Sequence, residues 1–183
     1  SLSQSSVEGT GILTNRGVLT LEGTNEISAP LSNEGLVLVS QSADNTLSGS
    51  FTNTATGTLR IASGRGSVQA KGAELTASSA IVNEGLIELT SVNQGCCNAH
   101  SATLRLTEGT LLNAAGATIR SLQGGYGGKR FLDAALENHG TLDVQYPLTL
   151  APNSYLNAGS ITIAASQTLA LEGGTLIDDG GEL

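Results

Sequence analysis

The chain has 183 residues, 39% apolar and 3% aromatic, and its 16 acidic and 8 basic side chains give a net charge of −8. This excess of acids argues against a nucleic-acid partner, because neutralising phosphates requires a basic surface. No apolar run approaches the roughly 18 residues of a transmembrane helix. The 3 prolines and 24 recurring glycines do not fit a disordered chain or a collagen.

A short pattern recurs seven times: an apolar residue, Asn, a Gly shortly after it, and then alternating apolar residues. The asparagines that mark it are Asn15, Asn33, Asn53, Asn83, Asn113, Asn138 and Asn157. The steps between them are 18, 20, 30, 30, 25 and 19 residues. Such self-similarity is typical of a solenoid, in which each unit buries its apolar face only against stacked neighbours.

Each repeat supplies a strand with one buried side, from Leu19 and Leu21 in the first repeat to Ile161 and Ile163 in the last. Polar or charged residues at the intervening positions give the period of two that strands show. A second strand often precedes the next Asn, as at Leu148 to Leu150. The sequence therefore predicts an all-β, right-handed parallel β-helix (a β-solenoid) of about 7–8 coils.

The repeated Asn and Gly are predicted to shape the corners of this β-helix. Asn tolerates a left-handed corner conformation, and its amide can bond to the coils on either side. Gly allows a positive φ where the next strand begins. We therefore expect a structural ladder of asparagines rather than a set of ligand-binding residues.

These repeats resemble the right-handed β-helices of bacterial autotransporter passengers and filamentous-haemagglutinin-type adhesins. Similar repeats occur in very large secreted bacterial and cyanobacterial surface proteins. The resemblance covers nearly the whole chain and implies a stalk or adhesive role in a secreted, extracellular or cell-surface setting. Its motifs carry structure and not chemistry, so it transfers no catalytic residue.

The chain is expected to form a single β-solenoid domain, residues 1–183. It begins at Ser1 without a methionine and stops after Gly180, Gly181, Glu182 and Leu183. This suggests a fragment of a larger protein, whose flanking domains would be its first partners. The end coils would otherwise be exposed and prone to association.

Three consecutive coils, numbers 3 to 5, carry longer insertions than the others. All three insertions follow the strand after the repeated Asn, so we expect them to leave at one corner and stack into a patch. The alternative is that they are decorative loops, because long insertions add little entropic cost. The candidate ligand-binding residues in the patch are Arg65, Lys71, His100, Tyr126, Lys129 and Arg130.

This patch gathers cations and one tyrosine on an otherwise acidic chain, which favours an anionic or polyhydroxylated ligand. Arg and Lys donate hydrogen bonds to carboxylates or sulfates, and a tyrosine ring can stack on a sugar. A glycan is therefore the preferred ligand, and no cofactor or metal is expected. The segment around Gly124 and Gly128 is not a phosphate-binding loop, because the required Lys-Ser or Lys-Thr ending is missing.

Cys96 and Cys97 are the only two cysteines and are adjacent in the sequence. Their close Cα atoms make a vicinal disulfide strained. A vicinal disulfide is nevertheless the predicted state of Cys96 and Cys97, and the alternatives are free thiols, a link between chains, and metal binding with His100. Metal binding is the weak alternative, because a closed zinc site needs four ligands and these residues supply only three. An oxidised pair would agree with an extracellular compartment.

Many β-helices cleave polysaccharides, so a lyase or hydrolase, or an accessory module beside one, is the alternative function. Hydrolysis needs two carboxylates at a defined separation in a groove. The outward acids are Glu88, Asp133, Glu137, Asp143, Asp178 and Asp179, and none shares a loop with a second acid and a base. His139 lies in a corner, where it is expected to be a turn residue and not a catalyst. Ice binding is a third possible function, but the outward residues are too irregular to form the threonine ladder that it needs.

Overall fold

The computed structural model describes residues 1–40, 44–66, 72–92 and 98–183. Within these ranges the chain is all-β, with short parallel strands in stacked sheets, as expected of a β-solenoid. This part of the chain contains no helix of the length and apolar character needed to cross a membrane.

The strands, in chain order, are β1 (Leu2–Ser3), β2 (Ser6–Val7), β3 (Leu13–Asn15), β4 (Val18–Glu22), β5 (Thr24–Ile27), β6 (Leu31–Asn33), β7 (Leu36–Val39), β8 (Asp44–Leu47), β9 (Phe51–Asn53), β10 (Thr58–Ser63), β11 (Arg65–Gly66), β12 (Ala73–Ala77), β13 (Ile81–Asn83), β14 (Leu86–Ser91), β15 (Asn98–Ala99), β16 (Ala102–Asn113), β17 (Thr118–Ser121), β18 (Arg130–Asn138), β19 (Thr141–Val144), β20 (Leu148–Leu150), β21 (Asn153–Asn157), β22 (Ser160–Ile163), β23 (Leu169–Leu171) and β24 (Gly174–Asp178).

All of these strands except β11 and β15 stack in three parallel tracks. The first track is β1, β4, β7, β10, β14, β17, β19 and β22, each hydrogen-bonded to the next. The second track contains β2, β5, β8, β12, β20 and β23, and the third contains β3, β6, β9, β13, β21 and β24. The long strands β16 and β18 run through both of these tracks and join them into one sheet.

The core is a column of aliphatic side chains between the tracks. In the first track, five side chains lie in register on successive strands, and each is at most 1% exposed. They are Val37, Leu59, Ile87, Ile119 and Leu142. This confirms the predicted alternation of buried and outward residues. Ile163, which was also expected to be buried, is 47% exposed because it lies on β22, the edge strand of the first track.

A continuous ladder of side-chain amides runs along the column and includes all seven repeat asparagines, of which all but Asn15 are buried. Each side-chain Nδ2 donates to the Oδ1 of the next Asn at 2.7 or 2.8 Å. Asn157 continues the ladder to the carboxylate of Asp178 at 3.1 Å. The predicted ladder is confirmed, but the left-handed corner is not, because no Asn of the described chain has a positive φ.

The repeat glycines are required for a different reason from the one expected. Of the seven that follow the asparagines, only Gly116 has a φ in the left-handed region, at +85°. At Gly35, Gly57 and Gly85 an added Cβ would lie 2.2–2.3 Å from a backbone oxygen of the neighbouring repeat. The glycines therefore allow two backbones to approach closely at the corner.

Opposite charges alternate on the outer face of the first track. Arg60, Glu88, Arg120 and Asp143 occupy one register position on successive strands. Arg60 Nη2 lies 2.6 Å from Glu88 Oε2, and Arg120 Nε lies 2.7 Å from Asp143 Oδ2. Because the charges alternate, like charges do not lie opposite each other on neighbouring strands, which are about 4.8 Å apart.

Candidate functional site

The three long insertions all connect the first track to the second, at the same corner. They comprise residues 64–72 between β10 and β12, residues 92–101 between β14 and β16, and residues 122–129 between β17 and β18. Because these strands are neighbours in their tracks, the insertions leave from adjacent levels of the stack. The sequence-based expectation of a common corner therefore agrees with the strand order.

The first two insertions pair with each other through their backbones. Strands β11 and β15 form a two-stranded antiparallel sheet in which Arg65 opposes Ala99 and Gly66 opposes Asn98. The backbone N–H of His100 also donates to the carbonyl oxygen of Gly64 at 3.2 Å. The insertions thus form a small sheet of their own beside the main tracks.

The third insertion is anchored to the end of β14 by a buried serine. Ser91 Oγ lies 2.7 Å from the carbonyl oxygen of Gln123, bonds to the carbonyl oxygen of Tyr126, and accepts from the Tyr126 backbone N–H at 2.8 Å. Gly128 packs so closely that an added Cβ would lie 2.3 Å from the carbonyl oxygen of His100. These contacts give the glycine-rich segment a fixed path across its neighbour.

Arg130 is buried, which corrects the expectation of an exposed cation. Its guanidinium donates to the carbonyl oxygens of Leu122 (3.0 Å), Gln123 (2.9 Å), Lys129 (3.1 Å) and Tyr126 (3.3 Å). The side chain is 0% exposed. Arg130 therefore stabilises the third insertion from its buried side. Its N–H groups bond to the backbone of that insertion instead of facing a ligand.

The burial of Arg130 changes its pKa but not its charge at neutral pH. Burial lowers the pKa of Arg130 to about 10, and the neighbouring Tyr146 offsets part of that shift. The guanidinium carbon lies 5.2 Å from the centroid of the Tyr146 ring. Arg130 stays protonated at neutral pH, so its bonds to the loop carbonyls are charge-assisted.

The other predicted ligand-binding residues are distributed around this corner. Tyr126 and His100 are half-buried, and Lys129 is exposed, with its Nζ 5.7 Å from the centroid of the Phe131 ring. His100 Nε2 is buried and has no hydrogen-bond partner among the described residues. Arg65 lies on β11, and Lys71 lies outside the described residues.

The cysteine pair and a metal site complete the set of sequence hypotheses. Cys96 and Cys97 both lie outside the described residues. Where the structure is described, no three His, Cys, Asp or Glu side chains come together in a way that could hold a metal ion.

Beside the insertions, the outer face of the second track forms three adjoining clefts. The first, of about 460 Å³, contains Asp44, Glu74 and Thr76. The second, of about 300 Å³, shares Glu74, Ser101 and Thr103 with the first and extends to Arg105, Phe131, Asp133 and Ala151. The third, of about 410 Å³, is lined by Gly128, Lys129, Arg130, Tyr146, Pro147 and Thr149. We call these three clefts together the lateral groove.

The charges at the centre of the lateral groove are paired with each other. Arg105 Nε lies 3.3 Å from Glu74 Oε1 and 3.3 Å from Asp133 Oδ2, so one guanidinium bridges two carboxylates from flanking strands. Thr76 Oγ1 also donates to Glu74 Oε1 at 3.3 Å. The groove therefore presents oxygens and nitrogens for hydrogen bonding without a large excess of either charge.

Five of the six acids considered for catalysis bond to other side chains. Glu88 and Asp143 pair with arginines of the first track, and Asp133 pairs with Arg105. Glu137 Oε1 lies 2.8 Å from His139 Nε2, and Asp178 ends the asparagine ladder. A hydrolase needs one carboxylate free to act as acid and another as base or nucleophile. The pairings of these acids do not favour that role.

Comparison of the chain with protein-family models, with curated proteins and with solved structures found no match.

Sequence reasoning identified the corner but missed the lateral groove. Glu74, Thr103, Phe131 and Thr149 are far apart in sequence, yet they occupy one register position on successive strands. The sequence does contain a pattern that predicts this alignment: a row of inward leucines on successive strands, each preceded by a residue that must point outward. These leucines are Leu75, Leu104, Leu132 and Leu150. Aligning those leucines would have brought the groove residues together.

Proposed function

We propose that the chain is an extracellular structural and adhesive β-helix module of a large bacterial surface or secreted protein, and that it binds glycans beside its inserted loops. In this proposal the tracks form a right-handed helix of seven or eight coils, and the insertions belong to coils 3 to 5. The resemblance to autotransporter passengers and haemagglutinin-type adhesins supports the setting. The parallel, stacked architecture supports the role of a stiff rod.

The observation that carries the binding role is the arrangement of the three insertions. They leave at one corner and border the lateral groove; the first two pair with each other, and the third bonds to the end of β14 and packs against His100 of the second. Loops that merely decorate a rod need not be tied together, whereas a binding face requires a fixed shape. The close contacts through Ser91 and Arg130 supply that fixed shape.

The side chains at this corner suit a polyhydroxylated ligand. Lys129 is exposed, Tyr126 is half-buried, and Phe131 lies next to Lys129. Aromatic rings can cover the apolar side of a sugar, while the ammonium and nearby hydroxyls bond to its oxygens. A glycan thus uses both the polar and the apolar parts of the corner.

The test is a glycan-array screen that compares the native protein with a double variant, Tyr126→Ala with Lys129→Ala. Arg130 is left intact because its removal would open the loop. Arg16→Ala, which removes an exposed cation far from the insertions, is the matched control. Binding that the control keeps and the double variant loses supports the proposal. Binding that all three proteins share, or no binding at all, contradicts it.

The alternative is a polysaccharide-degrading β-helix enzyme or its accessory carbohydrate-binding module. Incubation with polysaccharides followed by chromatography of the products separates these functions. An enzyme releases oligosaccharides, and its activity falls when Glu74 or Asp133 is changed to the corresponding amide. A binding module retains the polysaccharide without releasing a product.

A further inference from the structure

We infer that the lateral groove binds a linear, uncharged polysaccharide chain laid along the long axis of the stack. This inference deepens the proposed function by naming the surface and the class of glycan, and it rests on that function. The groove is distinct from the loop tips, because its floor is built from the outward residues of the second track.

The length and direction of the groove suit a chain rather than a single sugar. Its floor includes Asp44, Glu74, Thr103, Phe131 and Thr149, which lie in register on five successive strands. Four steps of about 4.8 Å give a floor of about 19 Å. The insertions border this floor on one side, so a ligand is guided along the axis instead of across it.

The electrostatics of the groove favour an uncharged ligand. Arg105 is already bonded to Glu74 and Asp133, so the charges at the centre of the groove, as far as its residues are described, already have partners. A polyanion would have to displace these carboxylates, and a polycation would have to displace Arg105. Sugar hydroxyls, in contrast, can donate to carboxylate oxygens and accept from a guanidinium without disturbing the pairs.

Phe131 provides the apolar part of the site. Its side chain is half-buried on the outer face, between Thr103 and Thr149 on the neighbouring strands. It lines the second cleft, and Lys129 Nζ lies 5.7 Å from its ring centroid. Ligand sites combine such a flat apolar surface with a few placed polar groups, and a sugar ring suits both because its face is apolar and its edge carries hydroxyls.

The geometry does not favour an extended peptide in the same place. Peptides that bind β-structures usually add to the edge of a sheet, where backbone groups are unpaired. The strands that form the groove floor are paired on both sides within the second track. The groove thus offers side chains to a ligand and keeps its backbone occupied.

The experiment is native gel electrophoresis of the protein through gels containing a soluble polysaccharide. Mannan, laminarin and dextran are the uncharged probes, polygalacturonate is the anionic probe, and soluble chitosan is the cationic probe. Phe131→Ala removes the apolar surface, and Thr149→Arg fills the third cleft. The matched controls are Leu112→Ala, an outward half-buried residue on the third track, and Thr162→Arg, an outward residue on the first.

We expect at least one uncharged polysaccharide to retard the native protein. Both groove variants should weaken that binding by about tenfold or more, while the controls keep it. Retardation by charged probes only, or by none, overturns the inference. If Tyr126→Ala, at a loop residue outside the three clefts, abolishes retardation while Phe131→Ala and Thr149→Arg do not, the groove is not the binding surface and the loop-based function stands.

Discussion

Asn53 donates a hydrogen bond from its side chain to Asn83 Oδ1 at 2.7 Å, although the two residues are 30 positions apart. The preceding pair, Asn33 and Asn53, is separated by only 20 positions and has the same 2.7 Å distance. The ten additional residues therefore leave the ladder unchanged and are accommodated at the corner. The ladder fixes the level of each repeat, and that in turn aligns the insertions.

Replacing an asparagine in the middle of the ladder should strongly destabilise the fold. Asn83 is buried, accepts from Asn53, and donates to Asn113 and to two carbonyl oxygens. Asn83→Ala leaves several of these groups unpaired, so we expect a loss of about 3–5 kcal/mol in the free energy of unfolding. Denaturation by urea measures it.

Asn15→Ala is the control for that substitution, because Asn15 is half-buried and starts the ladder. Water can replace its partners, so the expected loss is about 1–2 kcal/mol. Equal losses for the two variants would contradict the cooperative ladder.

Adding one methyl group at a repeat glycine should separate two neighbouring repeats. A Cβ at Gly85 would lie 2.3 Å from Thr54 O and 2.4 Å from Gly57 O, whereas at Gly17 it would meet no atom within 4 Å. Gly85→Ala should therefore cost about 1–3 kcal/mol, and Gly17→Ala should cost little. Thermal denaturation followed by circular dichroism compares them. A Gly85→Ala variant as stable as Gly17→Ala would rule out close backbone approach as the reason for this glycine.

Tyr155 should make stability depend on alkaline pH. Burial raises its pKa from 10.0 to about 12, with a smaller contribution from Asp133. Since the unfolded phenol ionises first, the stabilisation is complete below pH 10 and is lost as pH rises to about 12. Tyr155→Phe should therefore reduce the loss of unfolding free energy between pH 10 and about pH 12. Urea denaturation at several pH values in this range measures that loss.

The comparison of wild type with Tyr155→Phe is necessary because Arg130 acts in the opposite direction. Burial lowers its pKa from the usual arginine value to about 10, so its contribution to stability rises with pH over nearly the same range. Identical pH profiles for wild type and Tyr155→Phe would contradict the assignment for the buried phenol.

Arg130→Met should loosen the third insertion while the tracks stay folded. The variant keeps a long buried side chain but removes the donors to Leu122, Gln123 and Tyr126. Amide hydrogen exchange should therefore accelerate in residues 122–129 and remain slow in β10 and β14. Arg16→Met, at an exposed salt bridge, is the control and should change neither region. Unchanged exchange in residues 122–129 would show that Arg130 does not hold the loop.

The sequence predicts the fold better than the site for a physical reason. The repeated Asn and the alternating aliphatic residues report directly on inward positions, and Val37, Leu59 and Ile87 are all buried as predicted. From the sequence, the repeat glycines are predicted to allow a positive φ, whereas the structure shows that several of them allow two backbones to approach closely. Such an approach depends on which backbones become neighbours in the fold. That information is not local to the sequence.

Arg130 and Phe131 show how the same alternation could have improved the site prediction. Both follow the glycine-rich segment, and a basic residue there is naturally read as exposed. The burial alternation of β18 runs through Arg130, Leu132, Ala134 and Leu136, so Arg130 points inward and Phe131 outward. The difference arises because the strand begins at Arg130, and the start of a strand is poorly marked by local sequence.

The measurement that tests the central claim most directly is side-chain amide exchange of the repeat asparagines by nuclear magnetic resonance. In the ladder, the Nδ2 protons of Asn33, Asn53, Asn83, Asn113 and Asn138 are bonded to the next Asn and to a backbone carbonyl. Their signals should therefore persist long after transfer to heavy water, with Asn15 exchanging sooner. Immediate loss of all these signals would contradict a continuous ladder and, with it, the alignment of the insertions at one corner.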